Sequence, residues 1–414
     1  HVRFYNVLAS GSSNGSSIIN LVGFGTPVVF ERCKFQGADG AADELLAYLT
    51  SGSLEMYGCE IAGASNYCFF GAGTAGKNVK LTDCIVRGIA KNSSTNGVFY
   101  AYGAGEFKVE VDRCAFTSSH FHWHVGNGWT IEYVAVRDTL ISGCAVGIGD
   151  LNYMKPGGNI YSQLPNMIKN SHFKNVRFTY TPGVTQTAVY GNGADKCVFE
   201  HCAFEGNVAD RRLFEWRRTT DVTVLQCFFQ KTEGSESAGN EVCEFWETSG
   251  LTIKECWVDG APEDCYELVT SYGNNKFIDN VGDNVTGQLV DIFGVGSYDV
   301  EIDGVYGDCG DSAVLITDVD FVRVKNVFVE QTGDWSLGSV VLERRNAAPG
   351  VSPKGCVIMG FLSLPSVSSQ GQPFAVDTTQ AVEPGGIGEN FAAWWQDGEL
   401  KLYGSQALSG MTLK

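Results

Sequence analysis

Short stretches of the chain alternate apolar and polar residues with a period of two, and each ends at a turn residue followed by Cys, Val or Phe. Clear copies occupy residues 28–33, 54–59 and 79–84. Side chains that alternate in this way lie on opposite faces of a β-strand. The turn residue is often Asn or Gly, which tolerate the left-handed backbone of a sharp corner. The pattern predicts a strand, a corner and a second strand.

This pattern recurs about fourteen times at steps of 22 to 34 residues. A strand–corner–strand unit repeated at this spacing is one coil of a solenoid, and stacked coils align the residue after each corner in one inward column. We therefore predict an all-β fold, a right-handed parallel β-helix, over residues 1–362. The predicted column is Val7, Cys33, Cys59, Cys84, Cys114, Cys144, Val176, Cys202, Cys227, Cys256, Val281, Val305, Val327 and Phe361.

The column also accounts for the cysteines. Eight of the 14 cysteines fall in it, where Cys acts as a small apolar filler. Successive coils are separated by about 4.8 Å, a stacking geometry that is poor for systematic disulfide bridging. We expect free thiols rather than a disulfide framework.

Charge and hydropathy exclude some functions. The formal net charge is −18, which repels nucleic acid. No apolar run approaches the roughly 20 residues needed to cross a bilayer, so we expect no membrane insertion. The chain begins inside a strand pattern without a leader peptide pattern, which indicates a piece of a longer protein.

A second strand in four consecutive coils carries an acid between apolar neighbours. If the neighbours point inward, the acids point outward as a ladder. The acids are Glu215, Glu244, Glu267 and Asp291. The spacing from acid to column residue changes from 12 to 14 along this series, which leaves the alignment between coils open. The residues two positions further along lie on the same face: Arg217, Trp246, Val269 and Phe293.

Such a ladder has the chemistry of a glycoside hydrolase. Adjacent coils place carboxylates about 4.8 Å apart and alternate coils about 9.6 Å, so repulsion should raise at least one pKa. Carboxyl pairs about 5–5.5 Å apart suit a retaining mechanism, and pairs about 6.5–9.5 Å apart an inverting one. Aromatic rings stack on sugars and Arg holds an acidic sugar, so the predicted substrate contacts are Arg217, Trp246, Glu247 and Phe293. The same residues also fit a solvated acidic face or glycan binding without cleavage.

Other candidates are weaker. His120, His122 and His124 share one face of a strand, a spacing that can bind metal, but no acid or Cys nearby in sequence completes a ligand set. Acids at or beside the corners, such as Glu255 and Asp279, are usually turn formers. We predict no metal and no cofactor.

The coil pattern fades after residue 362. Residues 363–387 are rich in Ser, Gln, Gly and Pro, and two short apolar stretches then flank Asp397 and Gly398, a hairpin signal. We predict that residues 363–414 form a small β segment that caps the solenoid or contacts another subunit, and we favour the subunit contact.

The chain resembles the β-helix of phage tailspikes and related exopolysaccharide depolymerases. Two features carry the resemblance: a turn Asn followed by an inward residue in 325–329, and the alternating strand pattern in 252–258. The resemblance implies a parallel homotrimer at a virion tail or bacterial surface, outside the cell. It also implies cleavage of a bacterial polysaccharide by two or three acids on one coil face or between subunits. The acid pair and Arg-x-Lys motif of polygalacturonases, and the clustered Asp of calcium-dependent pectate lyases, are not visible.

Three hypotheses follow. The first is an endo-acting glycoside hydrolase that uses two of the four ladder acids as acid and as base or nucleophile. The second is a polysaccharide lyase with His122 or His124 as base and an Arg as charge neutraliser. The third is an adhesin that binds a glycan without cleaving it.

Overall fold

The computed structural model describes the following residues: 2–10, 17–23, 25–37, 45–63, 67–88, 98–102, 106–117, 121–125, 131–142, 146–150, 168–180, 189–206, 212–231, 241–294, 297–331, 340–343, 356–362, 367–370, 391–396 and 399–404. Strands occur throughout these residues, and none of them is helical. Accordingly, no helix within the described ranges is long and apolar enough to cross a membrane. The chain forms two compact units, His1–Phe228 and Phe229–Lys414.

Each coil of the first unit contributes strands to three rows. The first row leads to the corner and contains Val2–Tyr5, Val28–Glu31, Gly52–Tyr57, Lys77–Thr82, Phe107–Asp112, Tyr133–Arg137, Ile168–Lys174, Ala194–Glu200 and Thr223–Leu225. The second row leaves the corner and contains Leu8–Ser10, Lys34–Gln36, Glu60–Ala62, Ile85–Arg87, Ala115–Thr117, Leu140–Ser142, Arg177–Tyr180 and Ala203–Gly206. The third row contains Ser17–Leu21, Leu45–Leu49, Tyr67–Ala72, Phe99–Tyr102, Phe121–Val125, Val146–Asp150, Val189–Asn192 and Phe214–Arg217.

The second unit repeats these rows. Its third row contains Cys243–Trp246, Tyr266–Val269, Val290–Phe293, Val314–Thr317, Val340–Glu343 and Val367–Gln370. Three long strands run through the corner and join the first and second rows: Tyr272–Val285, Tyr298–Cys309 and Asp320–Gln331. The other strands of the first and second rows do not run through the corner in this way: Phe228–Lys231, Thr252–Lys254, Trp257–Ala261 and Val357–Leu362. The first of them begins at the last residue of the first unit.

Neighbouring coils pair in parallel. Val79 lies opposite Leu54 on one side and Val109 on the other, and all three are buried. In the third row of the second unit, Leu268 lies opposite Phe245 and Ile292 in the same way. The prediction of an all-β parallel solenoid is confirmed.

The predicted inward column is present in the first unit from Cys33 to Cys227, with one change, whereas Val7 in the first coil is 37% exposed. Asp83 and Arg113 adopt left-handed φ angles of 55° and 50°, and each is followed by a buried Cys. The backbone N–H of Cys84 donates to Sγ of Cys114 at 3.4 Å. The next position in the column is Thr139, not Cys144, because Thr139 follows the left-handed Asp138 and is 2% exposed.

Thr139 can occupy a buried position because its hydroxyl group forms hydrogen bonds there. Its Oγ1 accepts a hydrogen bond from Cys114 N at 3.2 Å and donates to Arg137 O at 2.7 Å. Cys144 lies outside the described residues. The cysteines that the structure describes are all buried and free, as predicted.

The second unit shows a similar correction. The sequence pattern assigned Asn280 to the corner and Val281 to the column, but the left-handed residue is Asp279, with φ of 52°, and Asn280 is the buried one. Asn280 Oδ1 accepts from Cys256 N at 3.0 Å, and its Nδ2 donates to Ile253 O at 3.1 Å. These two bonds satisfy the amide, so the inward position takes Asn and Val281 moves to the outer face.

A second corner ends the third row and was not predicted. Glu247 and Thr270 adopt φ angles of 50° and 44°, and the residues after them, Thr248 and Ser271, are fully buried. Thr248 Oγ1 and Ser271 Oγ lie 3.2 Å apart, and Ser271 N donates to Ser297 Oγ at 2.9 Å. A ladder of hydroxyls therefore satisfies backbone groups inside this corner.

The predicted C-terminal hairpin is confirmed. Phe391–Gln396 pairs antiparallel with Glu399–Gly404 across the Asp397–Gly398 position. Val367–Gln370, which lies beyond residue 362, pairs in parallel with Val340–Glu343 and so continues the third row. The division of the chain at residue 362 and the role of the last segment in capping or subunit contact stay predictions.

Candidate functional site

Three of the predicted acids stand in one column of the second unit. Glu244 lies opposite Glu267, and Glu267 lies opposite Asp291, on successive third-row strands. The apolar neighbours of each acid point into the core, so strand alternation turns the acids to the outer face. The alignment left open by the uneven sequence spacing is therefore continuous from Glu244 to Asp291.

The outer face is more covered than the sequence predicted. Glu244 is 0% exposed and Glu267 is 7% exposed, whereas Asp291 is half-buried. Leu315, the next residue in the column, is also buried. The acids lie on the outer face, as the alternation predicts, but Glu244 and Glu267 are buried there, so these two do not form an open ladder. Only Asp291 of the three retains substantial exposure.

Two further acids lie beside the column. Glu241 approaches Glu244 and Glu267, and Asp264 interacts electrostatically with Glu241 and Asp291. Asp264 Oδ1 accepts from Gln288 N at 2.6 Å. Sequence reasoning missed both acids because each precedes a strand in a turn, although the buried apolar residue after each was a usable signal.

Crowding and burial control the protonation of Glu267. Burial raises its pKa to about 11, and repulsion from Glu241, Glu244 and Asp291 adds to the shift. Glu267 also shares a side-chain hydrogen bond with Glu244, which requires a proton between the two carboxyl groups. The pKa of Asp264 is likewise raised well above its ordinary value, mainly by burial and then by Asp291. Glu267 therefore keeps its proton at neutral pH.

The same geometry is compatible with a cation. One carboxylate oxygen from each of Glu241, Glu244 and Glu267 lies within 4.8 Å of the others. Carboxylate oxygens are ligands of hard divalent cations such as Ca²⁺. Either a proton or such a cation would offset the repulsion within this buried group.

The predicted substrate-contact residues of the second unit flank the acids. Trp246 lies opposite Val269, and Val269 opposite Phe293, in a column two residues along from the acids on the same face. Trp246 and Phe293 are half-buried, whereas Val269 is buried. Glu247 is half-buried at the left-handed corner. Two aromatic side chains, separated by Val269, thus lie beside the acid column.

Glu215 and Arg217 belong to the first unit and form an ion pair. Arg217 Nε donates to Glu215 Oε1 at 2.5 Å, with 16% and 6% of the two side chains exposed. Trp216 between them is fully buried opposite Gly191, where an added Cβ would lie 1.2 Å from the indole ring. Glu215 is therefore a covered partner of Arg217 rather than an exposed acid.

The histidine candidates are only partly placed. The strand Phe121–Val125 contains His122 and His124, and its backbone pairs in register with Phe99–Tyr102, with Trp123 opposite Phe99. Their side chains, and His120 altogether, lie outside the described residues. Glu255 and Asp279 adopt left-handed φ angles, as expected of turn formers.

Comparison with known proteins gives fold-level likenesses alone. No family model matches the chain, and no curated protein matches it. The chain is similar to the Streptococcus pneumoniae surface protein and adhesin PfbA, at 12% identity over 77% of this chain and 91% of that chain, with a TM-score of 0.33. It is also similar to tailspike protein 3 of bacteriophage CBA120, at 9% identity over 96% of this chain and 58% of that chain, with a TM-score of 0.38. Likeness at this level carries no functional argument.

Proposed function

We propose that the protein hydrolyses glycosidic bonds within a bacterial polysaccharide, with Glu267 and Asp291 as the reacting carboxyl groups. One observation carries the proposal. Glu267, whose burial and acidic neighbours keep it protonated, lies in register with Asp291, which is more exposed. Acid-catalysed glycoside cleavage requires one protonated and one ionised carboxyl group, and the proposal assigns the ionised role to Asp291 because its side chain is the more exposed of the two.

The roles follow from the environments. Glu267 donates its proton to the leaving glycosidic oxygen, and the carboxylate of Asp291 attacks the anomeric carbon to form a covalent glycosyl intermediate. Adjacent coils are about 4.8 Å apart, close to the roughly 5–5.5 Å of retaining enzymes. Glu267, now ionised, then removes a proton from the water that releases the sugar. Glu244 is a positioning residue, because it contacts Glu267 and is closed to solvent.

Substrate would lie along the outer face of the third row. Trp246 and Phe293 offer aromatic surface to sugar rings, and Glu247 offers a hydrogen-bond acceptor at the corner. Arg217 as a clamp for an acidic sugar stays a prediction, since it is engaged by Glu215. An extracellular or surface location and a parallel homotrimer complete the proposal, on the basis of the sequence resemblance alone.

The test is incubation of the full chain with a panel of capsular, slime and O-antigen polysaccharides, followed by sizing of the products and assay of new reducing ends. Hydrolysis predicts shorter chains with one new reducing end per cut and no ultraviolet absorbance from an unsaturated sugar. Shorter chains with that absorbance would indicate a lyase and contradict the proposal. Unchanged chain length across the panel would also count against it.

Binding without cleavage is the second candidate, favoured by the burial of Glu244 and Glu267. An adhesin would retain a polysaccharide on the immobilised protein while the viscosity of the polymer stayed constant. Retention together with falling viscosity would exclude this candidate.

A further inference from the structure

An outward column of the second unit contains three aromatic side chains, with one short side chain between the first and the second. Trp257 lies opposite Val281, Val281 opposite Tyr306, and Tyr306 opposite Phe328. These residues follow the corner, on the second row and the long strands that continue it. Trp257 is 47% exposed and Phe328 is 41% exposed, and the two residues between them are half-buried. The column therefore reaches solvent.

Val281 leaves a gap between two ring planes. The rings of Tyr306 and Phe328 stack with centroids 5.6 Å apart and planes inclined by 8°. The other face of Tyr306 is turned toward the coil of Val281, whose side chain is much shorter than a ring. Trp257 and Tyr306 are two coils apart, which is about 9.6 Å. Contacts of about 3.5–4.0 Å on each side need about 7–8 Å, so the gap has room for one six-membered ring.

Three carboxylates lie on the strands that border this gap. Asp279 accepts a hydrogen bond from the Tyr306 hydroxyl at 3.3 Å and is exposed at its corner. Asp259 and Asp283 lie opposite each other, two residues beyond Trp257 and Val281 on the same outer face. A cation between aromatic faces is stabilised by the ring quadrupoles, and neighbouring carboxylates strengthen that preference. An anionic sugar would be repelled.

We propose that the gap between Trp257 and Tyr306 is a binding site for a cationic sugar ring, such as a hexosamine residue with a free amino group. The pyranose ring packs between the indole and the phenol over Val281. Its ammonium group faces Asp279, Asp259 and Asp283. This site lies on a different strand row from Glu267 and Asp291 and does not depend on their chemistry.

The experiment is calorimetric titration of the full chain with β-1,4-linked glucosamine oligomers and with their N-acetylated counterparts. The site predicts binding of the glucosamine oligomer at least about tenfold tighter than the acetylated one, weakening with salt. Absence of binding, or equal affinity for the two oligomers, would overturn the proposal.

Variants locate the binding. V281F fills the gap from its floor and W257A removes one wall, so each should lower affinity about tenfold or more. Y272A is the matched control, since Tyr272 is a 42% exposed aromatic of the same unit outside the gap. Melting curves establish that each variant is folded. Wild-type affinity in folded V281F would place the ligand elsewhere and refute the assignment.

Discussion

Asp291 lies directly opposite Glu267 on the neighbouring coil, and the two carboxyl groups differ sharply in environment. Glu267 is 7% exposed and held among other acids, whereas Asp291 reaches solvent. Burial disfavours the charged form of a carboxyl group, so Glu267 retains its proton, while Asp291 has the more exposed side chain of the two. The consequences of that asymmetry are measurable in stability as well as in activity.

Substitution of Glu267 by Gln should make stability less dependent on pH. The unfolded chain releases the Glu267 proton near its ordinary pKa of 4.5, whereas the folded protein holds it up to about 11. Between these values the folded state binds more protons, so stability falls as pH rises, by at most about 1.4 kcal/mol per pH unit from this group. E267Q cannot ionise in either state. The melting temperature of E267Q should therefore be higher than that of the wild type, and the difference should grow from about pH 5 to about pH 9.

Glu301 provides the control of opposite sign. The hydrogen bond that Glu301 accepts from Lys325, at 3.0 Å, lowers the pKa of Glu301 in the folded protein. This ionised pair therefore stabilises the fold above the ordinary pKa of Glu, and the stabilisation is lost as the pH falls through the lowered pKa of the folded state. E301Q should melt lower than the wild type at neutral pH and converge with it in acid. An E267Q variant that followed the E301Q profile would contradict the assignment of a retained proton to Glu267.

The buried side chain of Asn280 should contribute to the stability of the second unit. N280V fills the column with the apolar residue found at position 305, but it leaves Cys256 N and Ile253 O without the bonds that Asn280 supplies. Each buried unsatisfied group costs about 1–3 kcal/mol. Denaturant unfolding should show a loss of that order or more. Unchanged stability would mean that the amide is replaceable by apolar packing.

The buried thiols should be inert in the folded protein. The described cysteines are free and buried, and burial raises the pKa of Cys197 to about 12. Burial keeps a reagent away from these thiols, including Cys114, whose pKa is lowered by its hydrogen bond with Cys84, so a disulfide reagent at neutral pH should label the native chain at Cys144 at most. The denatured chain should react at all 14 cysteines. A C144S variant that still reacted rapidly when native would contradict the inward placement of the column.

The solenoid was predictable because its coils bury apolar residues at a repeating corner. Cys84 and Cys114 were recognised since small apolar side chains mark the inward column. Thr139 and Asn280 were missed because polar residues normally indicate the surface, and only the structure shows the backbone groups that satisfy them. The solenoid's periodicity thus reveals its column, while hydrogen-bonded exceptions within the column remain hidden.

The acid column was predictable for a similar reason, but its burial was not. Period-two alternation places Glu244 and Glu267 on the outer face, and the structure confirms their register. Whether that face is open depends on packing over it, which no local pattern encodes. Glu241 and Asp264 approach from turns, so their contribution depends on contacts between coils.

The most direct test of the account is reducing-end release by D291N and E267Q on a polysaccharide that the wild-type chain cleaves. Loss of the nucleophile or of the proton donor should each lower the rate by about 100-fold to 10,000-fold. E205Q, which alters a carboxylate paired with Arg177 in the first unit, should retain wild-type activity. Wild-type rates in folded D291N and E267Q would show that this pair does not cleave the substrate.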